Sequence, residues 1–307
     1  MRIVIFGGHG HVGQSLINHF KLLGWETKIV SRRRPVVWDG KTLGDWTQAI
    51  EGTDAVINLA GRSVNCRYNA DNLKEMMESR VDSTRILGQA IAQASNPPKV
   101  WLQSSTATIY RHTYDEANGE DGVIGSEQDP VPRKWQNSVE IAKAWEAALY
   151  EFNTHGTRRV ALRTAMVMAP IEGSIFSVLS KLTKRGLMGV QGSGRQYVSW
   201  IHETDFCEAI EWILNHSDLD GPINVSSPNP LPQKQFAEQL RKALGVKIGL
   251  PATALMLEVG TFLMKSETEL VLKSRRVVPA KLLKSGFTFK HPDWGTASLD
   301  LAKKINP

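Results

Sequence analysis

Seven residues near the start of the chain, Gly7-Gly8-His9-Gly10-His11-Val12-Gly13, join a run of glycines to the beginning of an apolar helical pattern. Gly7 permits a tight turn, Gly10 lets the backbone come close to a bound group, and Gly13 lets a helix pack closely on a strand. His11 and Val12 open the helix. The free N–H groups and positive dipole end of its first turn favour an anion such as a pyrophosphate. A second chemical cluster follows at Ser31-Arg32-Arg33-Arg34. A dinucleotide with a free ribose 2′-hydroxyl usually meets Asp or Glu at the end of the second strand. Here a hydroxyl and forked guanidinium groups stand instead, and they suit a 2′-phosphate. The residues therefore point to NADP as cofactor, with Ser31 and Arg32 on the phosphate and Arg34 as an exposed turn charge.

The elements needed to hold these clusters are legible around them. Residues 2–6 form a short apolar run that ends at Gly7, and residues 11–23 repeat apolar side chains at helical spacing through Val12, Leu16, Phe20 and Leu23. Strands are expected at 26–31, 36–38, 54–59, 99–104 and 159–163, and helices at 71–94 and 138–153. Pro97-Pro98 stops the first of those helices. Strands alternating with helices imply right-handed crossovers and a parallel sheet, whose ligands bind at the carboxyl ends of the strands. The fold class is thus α/β, a Rossmann-type sheet with helices on both faces. After Pro170 the texture changes to glycine-rich and Pro/Ser/Asn-rich stretches, with helices expected at 233–244, 253–264 and 279–284. We read residues 1–170 as the cofactor-binding domain. Residues 171–307 are read as a smaller, mostly helical lobe, with some chain returning to the sheet.

Composition narrows the classes further. The 307 residues are 41% hydrophobic and 22% charged, as in a globular protein with a sizeable core. No stretch approaches the roughly 18–20 apolar residues of a membrane span. The best candidate, 255–264, is short and carries Glu258. Residues 1–6 are too short for a secretory leader, so a cytoplasmic protein is expected. The two cysteines, Cys66 and Cys207, lie far apart, and the eight histidines show no ligand spacing, so neither a disulfide framework nor a metal site is expected. The formal charge of +6 suits an anionic ligand. The basic residues are dispersed and no nucleic-acid motif accompanies them, so nucleic acid is not the expected partner.

At this point the chain resembles a known family. The glycine loop, the strand end Asn58-Leu59-Ala60-Gly61 and the stretch Ser104-Ser105-Thr106-Ala107-Thr108-Ile109-Tyr110 look like those of the extended short-chain dehydrogenases/reductases, the NAD-dependent epimerase/dehydratase superfamily. Trp38-Asp39, Ser79-Arg80, Trp145-Glu146, Leu162-Arg163-Thr164, the 192–196 and 199–202 stretches and residues 277–289 resemble its "epimerase family protein" branch, which has a C-terminal domain of unknown function. The resemblance implies a Rossmann core and NADP contacts from Leu59, Ala60, Gly61, Ser79 and Ser104. It also implies a Ser or Thr after the strand, for which Thr106 stands, and a Tyr-x-x-x-Lys pair. Lys143 fits the lysine, but Val139 stands where the tyrosine belongs, and a valine cannot exchange a proton. Tyr110 is a substitute acid or a structural tyrosine. His202, with Asp205 near it in sequence, is a further acid/base candidate or a packing residue. Arg80 and Arg195 could meet an anionic small-molecule substrate or serve as structural ion-pair partners.

Two functions follow as expectations. One is an NADP(H)-dependent oxidoreductase or epimerase of a small or nucleotide-linked substrate, with Thr106, Tyr110 and Lys143 as catalytic candidates. The other is a non-catalytic NADP-binding sensor, which Val139 favours.

Overall fold

In the computed structural model, which describes residues 1–33, 35–263 and 266–305, the first half alternates as the sequence leads one to expect. β1 (Arg2–Phe6), α1 (His11–Leu22), β2 (Glu26–Ser31), β3 (Val36–Val37), β4 (Ala55–Asn58), α2 (Ala70–Gln93), β5 (Val100–Thr106), α3 (Gln136–Leu149) and β6 (Arg158–Thr164) follow in order. Arg34 and the last residue of the helix expected at 253–264 lie outside the described residues.

The strands form a seven-stranded parallel sheet in the order β3-β2-β1-β4-β5-β6, closed at the far edge by β10 (Gly221–Val225). The order reverses on either side of β1. That switch point opens a crevice at the carboxyl ends of β1 and β4. Strand period decides what each face buries. Ile3, Ile5, Ala55, Ile57, Val100 and Leu102 face one core, shared with Leu16 and Phe20 of α1. Val4, Phe6, Val56 and Trp101 face the other, shared with Ile86, Leu87 and Ile91 of α2 and Leu149 of α3. Trp38, expected to end the third strand, lies beyond it. Its buried ring meets Phe6 at 4.6 Å and Trp46 at 5.2 Å, so packing fixes the chain just past β3.

The chain after residue 170 is less segregated than its texture suggests. β7 (Met166–Met168), α4 (Ile175–Lys184), β8 (Tyr197–Val198), β9 (Trp200–His202) and α5 (Glu203–Asn215) lead into β10. α5 shares the α1 face of the sheet through Phe206, Ile210 and Ile213. β11 (Leu231–Pro232), α6 (Gln233–Ala243), α7 (Ala254–Leu263), α8 (Glu269–Leu272), α9 (Ala280–Lys284) and α10 (Trp294–Ile305) complete the chain. α6 and α10 meet around stacked Phe236 and Trp294 in a core of their own, whereas Leu282, Phe287 and Phe289 return to the core of the sheet. β8 with β11 and β7 with β9 form two small sheets beside the helices. Among the described residues no helix is long and apolar enough to cross a membrane.

Candidate functional site

The glycine loop is fixed by crowding. Gly7 adopts φ +76°, and a Cβ there would stand 2.9 Å from the Ala60 nitrogen. A Cβ on Gly13 would stand 2.4 Å from the Gly8 carbonyl oxygen. Both contacts are backbone, which cannot yield cheaply. Gly10 differs, because a Cβ there would meet no atom within 4 Å. It caps α1 without a side-chain hydrogen bond and borders the cleft. The first-turn amides of α1 are thus left for an anion.

Two cavities meet along this loop, sharing Leu59. The larger, about 710 Å³, is lined by Gly7, His9, Gly10, Ser31, Arg32, Arg33, Ala60, Gly61 and Ser79. The smaller, about 310 Å³, is lined by His11, Val12, Ser104 and Thr164 through Val167. Burial lowers the pKa of His11, so its neutral form borders the smaller cavity. Of the cofactor residues expected from sequence, Gly13 alone lines neither cavity, and its part is the crowded turn. Sequence reading missed Trp38, Asp39, Gly40, Lys41, Arg62, Glu75, Glu78 and Ser83 on the larger cavity. It also missed Met166, Val167, Ile175 and Phe206 on the smaller one. For the residues that follow β3, β4 and β6 the signal available was position just past strand ends, whereas Glu75, Glu78 and Ser83 on α2, Ile175 on α4 and Phe206 on α5 carry no local signal.

The ribose end is shaped by Ser31. Its hydroxyl donates to the Arg33 carbonyl and accepts from the Arg33 N–H, both at 3.0 Å, and so folds the turn that presents Arg32 and Arg33 as exposed side chains. Asn58 Oδ1 accepts from the Ala60 N–H at 3.0 Å, and Ser79 Oγ accepts from the Arg62 N–H at 3.0 Å. Buried Arg80 donates to the carbonyls of Met76 and Arg62 and lies 5.0 Å from the Trp145 ring. Burial lowers its pKa to about 10. Ser79 and Arg80 therefore brace the 59–62 loop that walls both cavities. Lys41 pairs with Glu78 at 3.3 Å, and Arg62 with Glu75 at 2.7 Å, at the rim of the larger cavity.

The catalytic candidates do not converge. Thr106 ends β5, and its Oγ1 accepts from the Thr108 N–H at 3.1 Å. The proton of that hydroxyl stays free to donate. Tyr110 is 1% exposed and donates to Asn224 Oδ1 at 2.8 Å while accepting from Arg163 Nη1 at 2.9 Å. Arg163 is held in turn by both oxygens of Glu146. Tyr110 thus ties β6 to β10, and burial raises its pKa. This corrects the expectation of a substitute acid. Lys143 lies on the outer face of α3, 42% exposed, with Glu140 at 3.3 Å. It is a surface lysine, and Val139, one turn before it on α3, is buried in packing.

His202 also has another task. Its Nδ1 accepts from the Thr204 N–H at 3.1 Å and caps α5. The ring proton then sits on Nε2, 3.1 Å from Asp300 Oδ2. Asp205 does not orient it, but accepts from the backbone N–H groups of Lys290 and His291. His202, His291 and Asp300 bring their ligand atoms within 4.8 Å of one another. A metal on Nε2 would need the proton moved to Nδ1, where it would oppose the Thr204 N–H. The cluster is therefore a helix cap, and burial presses the His202 pKa to about 3.

Fold and cleft together define a Rossmann-type protein with an elongated, glycine-walled binding crevice. The chain belongs to the NAD dependent epimerase/dehydratase family, whose model matches residues 3–226, and a domain of unknown function, DUF1731, matches residues 252–301. It is 29% identical to the epimerase family protein SDR39U1 of Bos taurus, over 97% of this chain and 98% of that one. It is 28% identical to the epimerase family protein YfhF of Bacillus subtilis, covering 95% of each. The crystal structure of human SDR39U1 (isoform 2) with NADPH superposes with a TM-score of 0.87 at 25% identity over 99% of both chains.

Two predictions follow from this geometry. Gly10→Val is expected to melt within a few degrees of the wild type, whereas Gly13→Val, forced against the Gly8 backbone, loses about 1–3 kcal/mol or more. Thermal melts of both variants check the contrast, and an equally stable Gly13→Val would contradict it. His202 is neutral in the fold and has a folded pKa below the unfolded value of about 6.5. Its contribution is therefore full above that value and is lost as pH falls toward about 3. His202→Asn keeps a capping side chain without the titration. Its melting temperature should fall less than the wild type's between pH 7.5 and pH 5, and equal falls would rule the histidine out.

Proposed function

We propose that this chain binds NADP(H) in the two joined cavities and transfers a hydride between the cofactor and a small carbonyl or secondary-alcohol substrate. One observation carries the reading. Among the described residues of the Ser31 turn the charged groups lining the cleft are cations, Arg32 and Arg33, whereas the Asp39 carboxylate on the same cavity accepts from the Lys41 and Thr42 N–H groups of its own loop. The pyrophosphate fits at Gly10, where the missing Cβ leaves room beside the first turn of α1. The nicotinamide fits the smaller cavity, between Leu59, Ser104 and Thr164. The bound cofactor supplies the hydride chemistry, and the protein binds and orients. Human SDR39U1, crystallised with NADPH, supports the cofactor assignment by its likeness over nearly the whole chain.

Thr106 is the proposed oxyanion donor, because its hydroxyl accepts from Thr108 and has its own proton to give. A second reading, a cofactor-binding sensor without turnover, is favoured by buried Val139 and by the exposed Lys143–Glu140 pair. NADPH oxidation that depends on an added carbonyl compound separates the two.

The cofactor assignment is tested by calorimetry on wild type and Arg32→Ala with NADPH and NADH. A 2′-phosphate carries close to two negative charges near neutral pH. Allowing for the exposure of Arg32, its loss should weaken NADPH binding about tenfold at low salt and leave NADH binding nearly unchanged. Equal losses for both cofactors would show that Arg32 serves the fold or the adenine pocket. Tighter binding of NADH by the wild type would overturn the assignment.

A further inference from the structure

α7 carries its apolar stripe away from the core. Leu255, Val259 and Phe262 recur at helical spacing, Met256 widens the stripe they form, and all four are exposed, Leu255 to 75% and Phe262 to 65%. The side turned inward holds Thr261, which is buried and donates its hydroxyl to the Leu257 carbonyl at 2.8 Å. The segment before α7 repeats the inversion. Residues 248–252 run beside residues 186–190, with the Leu250 N–H donating to the Gly186 carbonyl at 2.7 Å and the Ala252 N–H to the Val190 carbonyl at 2.8 Å. Gly249 faces inward, where a Cβ would stand 2.7 Å from the Met188 carbonyl oxygen. Ile248 and Leu250 on either side of it therefore point outward, as Leu187 does on the neighbouring segment. Residues 251–253 alone separate Leu250 from α7. Single exposed apolar side chains need no account, but seven along one segment and its neighbour mark a face that is covered in use.

The charges of the same segments are nearly all of one sign. Residues 181–190 hold Lys181, Lys184 and Arg185, residues 241–250 hold Arg241, Lys242 and Lys247, and neither stretch has an Asp or Glu. Arg185, Lys242 and Lys247 are exposed, whereas Lys181 pairs with Glu172 and Arg241 donates to the Met188 carbonyl. Glu238 lies one turn before Lys242 on α6, and Glu258 on α7 pairs with Lys134. Arg67, paired with Glu267, sets a further guanidinium 5.4 Å from the Phe262 ring. The cations decide between two covers. In a symmetric pair of copies the same patch meets itself, which brings the cation-rich rims of both together and repels. An anionic bilayer surface answers both features at once, because apolar side chains enter below the headgroups while lysines and arginines meet the phosphates.

We propose that the outward face of α7, continued by Leu187, Ile248 and Leu250, docks this protein on a bilayer surface rich in anionic phospholipid. With ten residues α7 is far too short to cross the hydrocarbon core, and it lies in the plane of the interface. One short helix inserts little apolar surface, so the attachment is reversible and leans on the phosphate contacts. Salt therefore releases it. None of the face's seven apolar side chains lines either cavity, and the docking surface stands apart from the cofactor reading. It gives α7, which falls within the stretch matched by the domain of unknown function, a task that the cleft does not require of it.

The test is co-sedimentation of the full chain with vesicles of phosphatidylcholine alone and of phosphatidylcholine and phosphatidylglycerol in equal parts. The wild type should sediment with the mixed vesicles at low salt, stay in solution with the neutral ones, and be released from the mixed vesicles by added salt. The double variant Leu255→Gln, Phe262→Gln leaves the net charge unchanged and alters only exposed side chains, so it should melt close to the wild type. It should bind the mixed vesicles about tenfold or more weakly, because it loses the inserted surface. Arg185→Gln with Lys247→Gln should also weaken binding about tenfold, through the phosphate contacts. No sedimentation of the wild type with the mixed vesicles would overturn the proposal. Equal binding by the Leu255→Gln, Phe262→Gln variant would reduce the attachment to adsorption by net charge and overturn it as well. A wild-type dimer in sedimentation velocity that this variant dissociates would assign the face to a second copy of the chain, and that result also overturns it.

Discussion

Backbone crowding between β1, α1 and the end of β4 governs the rest of this structure. Gly7 lies against Ala60 and Gly13 against Gly8 at distances that exclude a side chain. The constraint holds the first turn of α1 above the switch point of the sheet, so its unpaired amides border the cleft. The 59–62 wall is braced from outside by Asn58, Ser79 and Arg80. The buried Arg80 guanidinium does this through two carbonyls and an aromatic face, without a carboxylate among its hydrogen-bond partners. The two cavities are the space left between that wall, the glycine loop and the end of β6.

Much of the first half was legible because short apolar strands and a 3.6-residue repeat are local signals. Gly7, Gly10 and Gly13 could be assigned three different tasks from the turn alone, and the structure keeps those tasks apart. Ser31 was legible as a hydroxyl at a strand end and was read as a ligand of the 2′-phosphate. That its hydroxyl closes the turn on Arg33 depends on backbone geometry no residue type announces. The second half was harder for a physical reason. β10, α5, Phe287 and Phe289 take part in the core of the sheet through contacts distant in sequence. Their glycine- and proline-marked surroundings read only as a change of texture.

The catalytic side shows the same limit. Tyr110 follows β5 in sequence and was a reasonable acid, but Asn224 on β10 and Arg163 on β6 claim its hydroxyl. His202 had Asp205 within reach in sequence, yet Asp205 serves the 290–291 backbone and Asp300 on α10 answers the imidazole. Conversely, Glu269 and Lys273 stood in an unremarkable charged stretch near the end of the chain. Only the return of that stretch to Thr108 and Ser138 joins them to the end of β5. Sequence neighbours suggested partners in each case, and the fold chose others at long range.

The central claim is that the glycine loop seats a pyrophosphate and the Ser31 turn a 2′-phosphate. A crystal structure of this protein with NADPH tests it most directly. The account predicts the pyrophosphate against the Gly10 and Val12 amides, the 2′-phosphate within hydrogen-bonding reach of Arg32, and the nicotinamide beside Thr164. A cofactor bound elsewhere, or one whose 2′-phosphate points away from the Ser31 turn into solvent, would contradict it.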